Sequence, residues 1–289
     1  MEDILGFNGT KEGTLKIWQI NAERWFSVGS PWRPSVGDMA VYRKLAGNKI
    51  TGKVLILGST PELRDLVAKE GNSPTLMDMS ETMLKKMLSL AKLAKAKNEQ
   101  WITSGWEKAS LPKNHFDLIF GDMVWWVLSV PNQKILAEKI ARIMKPDGLF
   151  ISRFRVRNPK SADENFFMVV EKYLACLDEE PNKKQLIRDE MISRLHDITA
   201  DAGKCRINRE KTKTFLLEIA AKTNNLQYKK FLEEASLNLL SADWTSQTRE
   251  EIMAILKNKF ILKKELSAKD YNAEFYPIMK LAKNNAPFA

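Results

Sequence analysis

Strand patterns alternate with helical patterns between residues 53 and 155, and this alternation constrains the fold more than any other feature of the sequence. Lys53 to Leu57 is dominated by valine, leucine and isoleucine, as expected of a strand buried on both faces. Strands that alternate with helices pair in parallel, so the pattern predicts a doubly wound, Rossmann-like α/β sheet. Further strands are predicted at Thr75–Asp78, Trp101–Thr103, Phe116–Phe120 and Leu149–Arg155.

Local signals also place the helices between these strands. Pro61–Lys69 is predicted to be a helix with Thr60 as its N-cap, because proline suits the first helical position. Ser80 is predicted to cap the next helix, in which methionine and leucine recur at helical spacing. Ile135–Met144 is predicted to be helical and to end at the turn that follows it.

The region from Ser161 to Leu256 has helical patterns and almost no strand signal, whereas Phe260–Lys264 and Phe275–Leu281 again look like strands. We therefore expect a seven-stranded sheet with a helical insertion between strands five and six. The alternative is a separate C-terminal helical domain that ends in a hairpin. The predicted division is an N-terminal cap segment (1–48), a core (49–158), a helical insertion that covers the substrate (159–257) and the last two strands (258–289).

Composition excludes few functions. The chain has 46 basic and 36 acidic residues, a net charge of +10 that no tail concentrates, so nucleic-acid binding is possible but not favoured. Cys176 and Cys205 form no metal-ligand motif, and we expect no metal site. We also expect a cytoplasmic protein without membrane contact, because we find neither a signal peptide nor an apolar run long enough to span a bilayer. The oligomeric state is not indicated.

The segment from Val54 to Leu63 carries the main functional signal. A buried strand meets Gly58 and then the start of a helix, so the backbone can approach a ligand and free helix amides can face it. Asp78 follows after this helix, at the end of the second strand, where a carboxylate can accept hydrogen bonds from a ribose diol. The order and spacing of these features predict a nucleoside-binding edge.

With these features the chain resembles the class I S-adenosylmethionine (SAM)-dependent methyltransferases, over the stretch from Lys49 to Arg155. The matching segments are Val54–Glu62, Asp78–Ser80, Gly105–Glu107, Phe116–Asp122 and Met144–Phe150. The resemblance implies SAM as cofactor. The cofactor-binding residues that it implies are Gly58, Ser59, Thr60, Glu62, Asp78, Met79, Trp106, Glu107, Asp122 and Met123.

The chain departs from the family pattern within the first motif. Ile56 replaces the usual acid, and Thr60 and Glu62 replace the second and third glycines. The loop is similar to that of a subset with the sequence Gly-x-Thr-Pro-Glu-Leu, in which Glu62 would contact the amino-acid end of the cofactor. Its alternative is an acid that merely favours the helix N-terminus. A dinucleotide oxidoreductase would need glycine at the positions of Thr60 and Leu63, which argues against that class.

Substrate-binding residues are predicted around the same edge. Trp32 and Arg33 lie between two prolines, and we hypothesise that they close over the cofactor with Arg33 paired to a carboxylate; a packed connector is the alternative. One of Trp125 and Trp126 should face the methyl-transfer pocket, and Trp126 is taken as the candidate. Arginines 153, 155 and 157 alternate at the end of strand five. They could hold an anionic substrate, but we expect at least two of them to be solvated, with Arg155 as the candidate substrate contact.

Asp122 and His196 are the catalytic candidates. Asp122 ends the fourth strand, although it can also serve as a helix cap, and His196 in the insertion is the candidate general base. The segment Asp122–Trp125 lacks the Asn/Asp-Pro-Pro-Tyr/Phe pattern of enzymes that methylate planar nitrogens. We therefore predict a small-molecule or peptide acceptor. A tRNA or rRNA acceptor, and a protein that binds SAM without methylating anything, are the alternatives.

Overall fold

A computed structural model describes residues 22–23, 25, 29–201, 203, 205–237, 244–271 and 273–285, and so only part of the predicted cap segment 1–48. Seven strands form one sheet in the order β3-β2-β1-β4-β5-β7-β6. The first five are parallel, and β7 is antiparallel to both of its neighbours. The strands are β1 Val54–Leu57, β2 Thr75–Asp78, β3 Gln100–Thr103, β4 Phe116–Asp122, β5 Met144–Arg153, β6 Phe260–Leu266 and β7 Ile278–Lys283.

Helices cover both faces of the sheet, as the sequence predicts. The side chains of a strand alternate between the two faces, so an apolar strand has apolar side chains to bury on both of them. In β1, Leu55 and Leu57 belong to one buried cluster while Val54 and Ile56 belong to the other. Among the described residues, no helix is both long and apolar enough to cross a membrane. The helices are α1 Val36–Ala46, α2 Pro61–Lys69, α3 Glu81–Leu90, α4 Val130–Ile143, α5 Phe166–Glu179, α6 Lys184–Ile198, α7 Arg209–Lys222, α8 Leu226–Leu237 and α9 Arg249–Leu256.

The helical insertion has an apolar core of its own. Residues of α5 to α8 form a cluster that includes Val170, Met191, Leu216 and Phe231, all of them fully buried. By contrast, Ile252 and Leu256 of α9 pack in the core beside the sheet. The insertion lies between β5 and β6 in the sequence. Its helices α5 to α8 pack on one another, whereas its last helix, α9, packs on the sheet.

Two predicted starting residues in the core are wrong. Helix α4 begins at Val130, because Ser129 and the proline at position 131 start it ahead of the periodic apolar stripe. Strand β5 begins at Met144, since an irregularity in its pairing with β4 between Phe116 and Leu118 accommodates the turn residues within the strand. Thr60 is the N-cap residue of α2, as predicted, although its side chain makes no hydrogen bond to the helix.

The last two strands differ in extent from the prediction. Strand β6 runs on to Leu266, and β7 spans Ile278–Lys283 because Ala273–Phe275 forms a 3-10 turn instead. Residues after β5 nevertheless remain extended, since the amides of Phe154 and Val156 donate to the carbonyls of Pro277 and Phe275. Arg155 therefore lies just beyond the sheet, next to the insertion.

Candidate active site

The backbone after β1 forms a tight turn at the carboxyl edge of the sheet, with free space beside it. Gly58 has a φ of 92°, a conformation that favours glycine, and its amide donates to the carbonyl of Met77 over 2.8 Å. A Cβ placed on Gly58 would come no nearer than 3.6 Å to another group, the indole of Trp106. The conformation, and the open space beside it, make this turn a place where backbone can approach a ligand.

Asp78 lies beside this turn, although it is only 8% exposed. Its Oδ2 accepts a hydrogen bond from the Ser59 hydroxyl at 3.1 Å, and its Oδ1 accepts one from the Ser80 amide at 2.9 Å. Each carboxylate oxygen can accept a second hydrogen bond, so two acceptor positions are left. Burial raises the pKa of Asp78 to about 6, while the Ser80 and Ser59 hydrogen bonds act in the opposite direction.

Glu62 occupies the first turn of α2, on the other side of Gly58. Its Oε1 accepts a hydrogen bond from Arg33 Nε, whereas its buried Oε2 has no hydrogen-bond partner among the described residues. The sequence hypothesis placed Arg33 against a carboxylate of cofactor or substrate, and here its partner is Glu62. An unpaired carboxylate oxygen at a helix N-terminus suits a ligand that carries a donor, such as an ammonium group.

The remaining predicted cofactor residues line the same edge. Trp106 is half-buried and donates its indole N–H to the carbonyl of Met77 at 2.7 Å, so its ring lies across the ends of β1 and β2. Ser59 and Thr60 are buried in the turn. Met79 and Glu107 are half-buried.

A buried ion-pair network closes the end of β4. Arg153 donates to both oxygens of Asp122, over 2.8 and 3.1 Å, and to Asp38 of α1 at 2.8 Å. The hydroxyl of Tyr271 also binds Asp38 and Arg153. Burial, together with Asp38 and Glu62, raises the pKa of Asp122 to about 6, while Arg153 lowers it. Both oxygens of the catalytic candidate are thus engaged, an arrangement that suits a positioning role.

The residues after Asp122 turn sharply and separate two tryptophans. Met123 has a φ of 58°, which non-glycine residues adopt rarely and mostly at functional sites. Trp125 packs in the core against Phe154, whereas Trp126 stacks on Trp32 with ring centroids 5.0 Å apart. The sequence could not tell the two tryptophans apart.

Trp126 belongs to an aromatic cluster, the tryptophan cluster, formed by Trp32, Trp126 and Trp244. Trp126 and Trp244 have ring centroids 4.0 Å apart, and Met123 and Tyr276 pack beside them. Trp32 also packs against the apolar cluster of the insertion. The cluster therefore joins the N-terminal segment, the end of β4 and the insertion.

Arg155 and His196 meet next to this cluster. The Nη2 of Arg155 donates to the Ser193 carbonyl at 2.8 Å and to Asp197 at 2.6 Å, and its guanidinium lies 5.6 Å from the centre of the Trp126 ring. His196 is 1% exposed, and neither ring nitrogen has a partner among the described residues. Burial, reinforced by Arg155 and Arg209, lowers the pKa of His196 well below its usual value, so the imidazole is neutral at pH 7.

The expectation that at least two of the three arginines after strand five are solvated is wrong. Arg153, Arg155 and Arg157 are 0%, 4% and 6% exposed. Each pairs with carboxylates of elements distant in sequence, because buried guanidinium groups need compensation. Their partners are Asp38 and Asp122 for Arg153, Asp197 for Arg155 and Glu251 for Arg157.

Several residues of the edge were not predicted. Asp38 and Tyr271 complete the network around Arg153, and Trp244 and Tyr276 complete the tryptophan cluster. For Asp38 the Ser35-x-x-Asp38 spacing offers a local signal, which the structure realises as a reciprocal cap of α1. The other three are brought in only by tertiary packing.

Comparisons with known proteins agree with this geometry. Residues 58–152 match the family model described as a methyltransferase domain. No curated protein has a sequence that matches the chain. The match begins at Gly58 and ends within β5. It therefore contains the end of β4 and the residues of the candidate cofactor edge, namely Gly58, Glu62, Asp78 and Trp106.

Solved structures with the same fold are similar to the chain over most of its length. PH0226 protein from Pyrococcus horikoshii is 14% identical, with 90% of this chain and 99% of the other covered and a TM-score of 0.51. A TehB-like SAM-dependent methyltransferase from Corynebacterium glutamicum is 10% identical (92% and 98% covered, TM-score 0.50). A protein described as a zinc-dependent alcohol dehydrogenase from Rhodobacter sphaeroides is 14% identical (93% and 97% covered, TM-score 0.57). At such identities these likenesses concern the fold.

Proposed function

Because the chain is a class I SAM-dependent methyltransferase, we propose that it methylates a small-molecule or peptide acceptor between the tryptophan cluster and the carboxyl edge of the sheet. The observation that carries this proposal is the burial of that side of the edge. Trp126 is 6% exposed and Trp244 is 4% exposed, and α6 of the insertion contacts Arg155 directly. An acceptor there is enclosed, which favours a small molecule or the end of a peptide.

The buried arginines argue against an RNA acceptor. Proteins that bind RNA phosphates present lysine and arginine at an accessible surface. Here the arginines nearest the edge, Arg153, Arg155 and Arg157, are buried against carboxylates. Only the net charge of +10 favours RNA, which is therefore the second candidate.

In this proposal the residues of the cofactor edge would hold SAM. Gly58 would admit the cofactor to the backbone, Asp78 would accept hydrogen bonds from the ribose hydroxyls, and the free Oε2 of Glu62 would accept from the ammonium group. The indole of Trp106 would offer a surface on which the adenine can pack. SAM supplies an electrophilic methyl group; the protein aligns the acceptor and excludes water.

His196 remains the proposed catalytic residue, whereas Asp122 is proposed to be a positioning residue. Asp122, held by Arg153, fixes the end of β4 and thereby the position of Met123 and Trp126. His196 is kept neutral and so is able to accept a proton, should the acceptor have to lose one before methyl transfer. Trp32 and Arg33 form the outer wall of the same site.

A methyl-transfer screen tests the acceptor class. The protein is incubated with radiolabelled SAM and cell extract, and the products are divided by size and by sensitivity to protease and to nuclease. We expect label in the small-molecule or protease-sensitive fraction, and none with the D78N variant as a matched inactive control. Label that disappears on RNase treatment would instead assign an RNA acceptor.

A further inference from the structure

We infer that Arg155 anchors a carboxylate group of the acceptor, an assignment that rests on the proposed function and deepens it. The inference concerns a cluster of buried hydrogen-bond donors. Among the described residues, Nε and Nη1 of Arg155 and the indole nitrogen of Trp126 have no acceptor, and neither ring nitrogen of His196 has a partner. All three side chains are at least nine-tenths buried.

A second buried arginine of this protein shows how different this is. Arg64 also pairs with a buried carboxylate and lies over an indole, 5.7 Å from the centre of the Trp101 ring. All three of its nitrogens are used, Nε and Nη2 on Glu99 and Nη1 on the Leu84 carbonyl. Arg155 has the same kind of partners yet uses only Nη2 within hydrogen-bond distance, with the Tyr276 hydroxyl close by.

Leaving buried donors without acceptors lowers stability, and charged donors do so more strongly than neutral ones. A native site avoids this cost when a bound molecule supplies the acceptors. The open groups here are donor-rich: three guanidinium N–H groups on two nitrogens, one indole N–H and one imidazole N–H, against a single imidazole acceptor. The complementary group is an oxyanion, which a guanidinium binds through two parallel hydrogen bonds.

The space next to Arg155 favours a carboxylate over a phosphate or sulfate. A cavity of about 30 Å³ is lined by Arg155, Asp197, Ser193, Tyr271 and Tyr276, among others. One water needs roughly 10–15 Å³, so the cavity holds about two or three non-hydrogen atoms, the size of a carboxylate group, whereas a phosphate or sulfate has five. The lining also carries Glu190 and Arg194, which leaves it close to neutral. Of the described side chains with open donors only Arg155 lines the cavity, so the selectivity comes from its open N–H groups, with Trp126 and His196 as neighbours of Arg155.

Nuclear magnetic resonance tests the inference with formate and acetate as probes, each compared with its neutral amide. The protein is first saturated with S-adenosylhomocysteine, and the indole N–H signal of Trp126 and the imidazole signals of His196 are followed. We expect both carboxylates to move these signals saturably and the amides to bind at least tenfold more weakly. If neither carboxylate moves them, or if the amides bind equally well, the open donors hold water and the inference is wrong.

Paired variants separate the anchor from general effects on folding. R155M/D197N removes the buried charges together, and we expect it to lose carboxylate binding by at least tenfold. R64M/E99Q removes the matched pair elsewhere and should keep the binding. Equal losses in both would contradict the inference. If R155M/D197N does not fold, R155K serves instead, because lysine keeps the charge and lacks the fork; unchanged binding in R155K would also contradict the assignment.

The two hypotheses fail in distinguishable ways. S-adenosylhomocysteine that does not bind would contradict the proposed function at the outset. If it binds and the carboxylates do not, only the anchor is wrong.

Discussion

The two halves of the carboxyl edge are built in opposite ways. The half proposed to bind the cofactor (the cofactor half), around Gly58 and Asp78, is made by one strand–helix–strand unit, and Asp78 finds its hydrogen-bond partners in the turns that follow the two strands of that unit. The half proposed to bind the acceptor (the acceptor half), around Arg155 and Trp126, joins elements that are distant in sequence and leaves buried donors open. A site made by one local unit can be recognised from spacing, and a site made by tertiary packing cannot.

Arg153 stands where the two halves meet, and replacing it should have the largest effect. R153M leaves Asp38 and Asp122 buried without their cation, which we expect to lower the free energy of unfolding by about 3–5 kcal/mol. R155M leaves only Asp197 without its cation, so it should lower the free energy of unfolding by less than R153M does. Urea unfolding of the two variants compares them.

The triple variant D38N/D122N/R153M removes the charges of the network together and should recover part of the loss. If R153M were as stable as R155M or more stable, the ion-pair network around Arg153 would contribute no more to stability than the ion pair of Arg155.

Removal of the Asp78 carboxylate should have the next largest effect, on cofactor affinity. D78N removes charge-assisted hydrogen bonds to the ribose, and the loss of even one, worth about 1.5–3 kcal/mol, should lower the affinity for S-adenosylhomocysteine by roughly 10- to 100-fold. Titration calorimetry measures this affinity. D117N is the matched control, because Asp117 lies at the opposite end of β4, bound to Lys53 and Lys145, and should leave the affinity unchanged.

The pH dependence of binding should follow the same carboxylate. Burial raises the pKa of Asp78 to about 6, so in the free protein it is protonated below this pH and loses acceptors that the ribose needs. Affinity for S-adenosylhomocysteine should therefore fall about tenfold per pH unit below 6 and be constant above it.

The contribution of Asp78 to folding stability should depend on pH in the opposite direction, and should decrease as pH rises. The pKa of the folded state exceeds the ordinary value of 3.8, so Asp78 favours folding at low pH, and this contribution is lost as pH rises to about 6. D78N should remove the contribution of Asp78 to both dependences. A pH profile of binding in D78N that matches that of the unsubstituted protein would assign the titration to Asp122, whose pKa is also about 6.

The same contrast explains what the sequence could and could not predict. The sheet was predictable because a strand buried on both faces, such as Val54–Leu57, has an unmistakable apolar run, and the turn at Gly58 follows it directly. The environment of Arg155 was not, because alternation along a strand does not reveal which helix of a later insertion will pack against it. Trp126 could be named but not separated from Trp125, since only the positive φ of Met123 sends the two rings to different clusters.

Arg33 links the halves from outside, and its replacement should have the smallest effect. The Arg33–Glu62 pair is partly exposed, so R33A should change the free energy of unfolding by about 1 kcal/mol or less. If Arg33 pairs with the carboxylate of the cofactor, R33A should weaken S-adenosylhomocysteine binding roughly three- to tenfold, as expected for one partly exposed charged contact.

The ligand itself offers the control for Arg33. 5′-Methylthioadenosine lacks the amino-acid end, so its affinity should be the same in R33A and in the unsubstituted protein. If R33A instead bound S-adenosylhomocysteine more tightly, Arg33 would act by withholding Glu62 from the cofactor ammonium. Unchanged affinity for both ligands would make Arg33 a packed connector, and the N-terminal segment would then belong to the acceptor half through Trp32 alone.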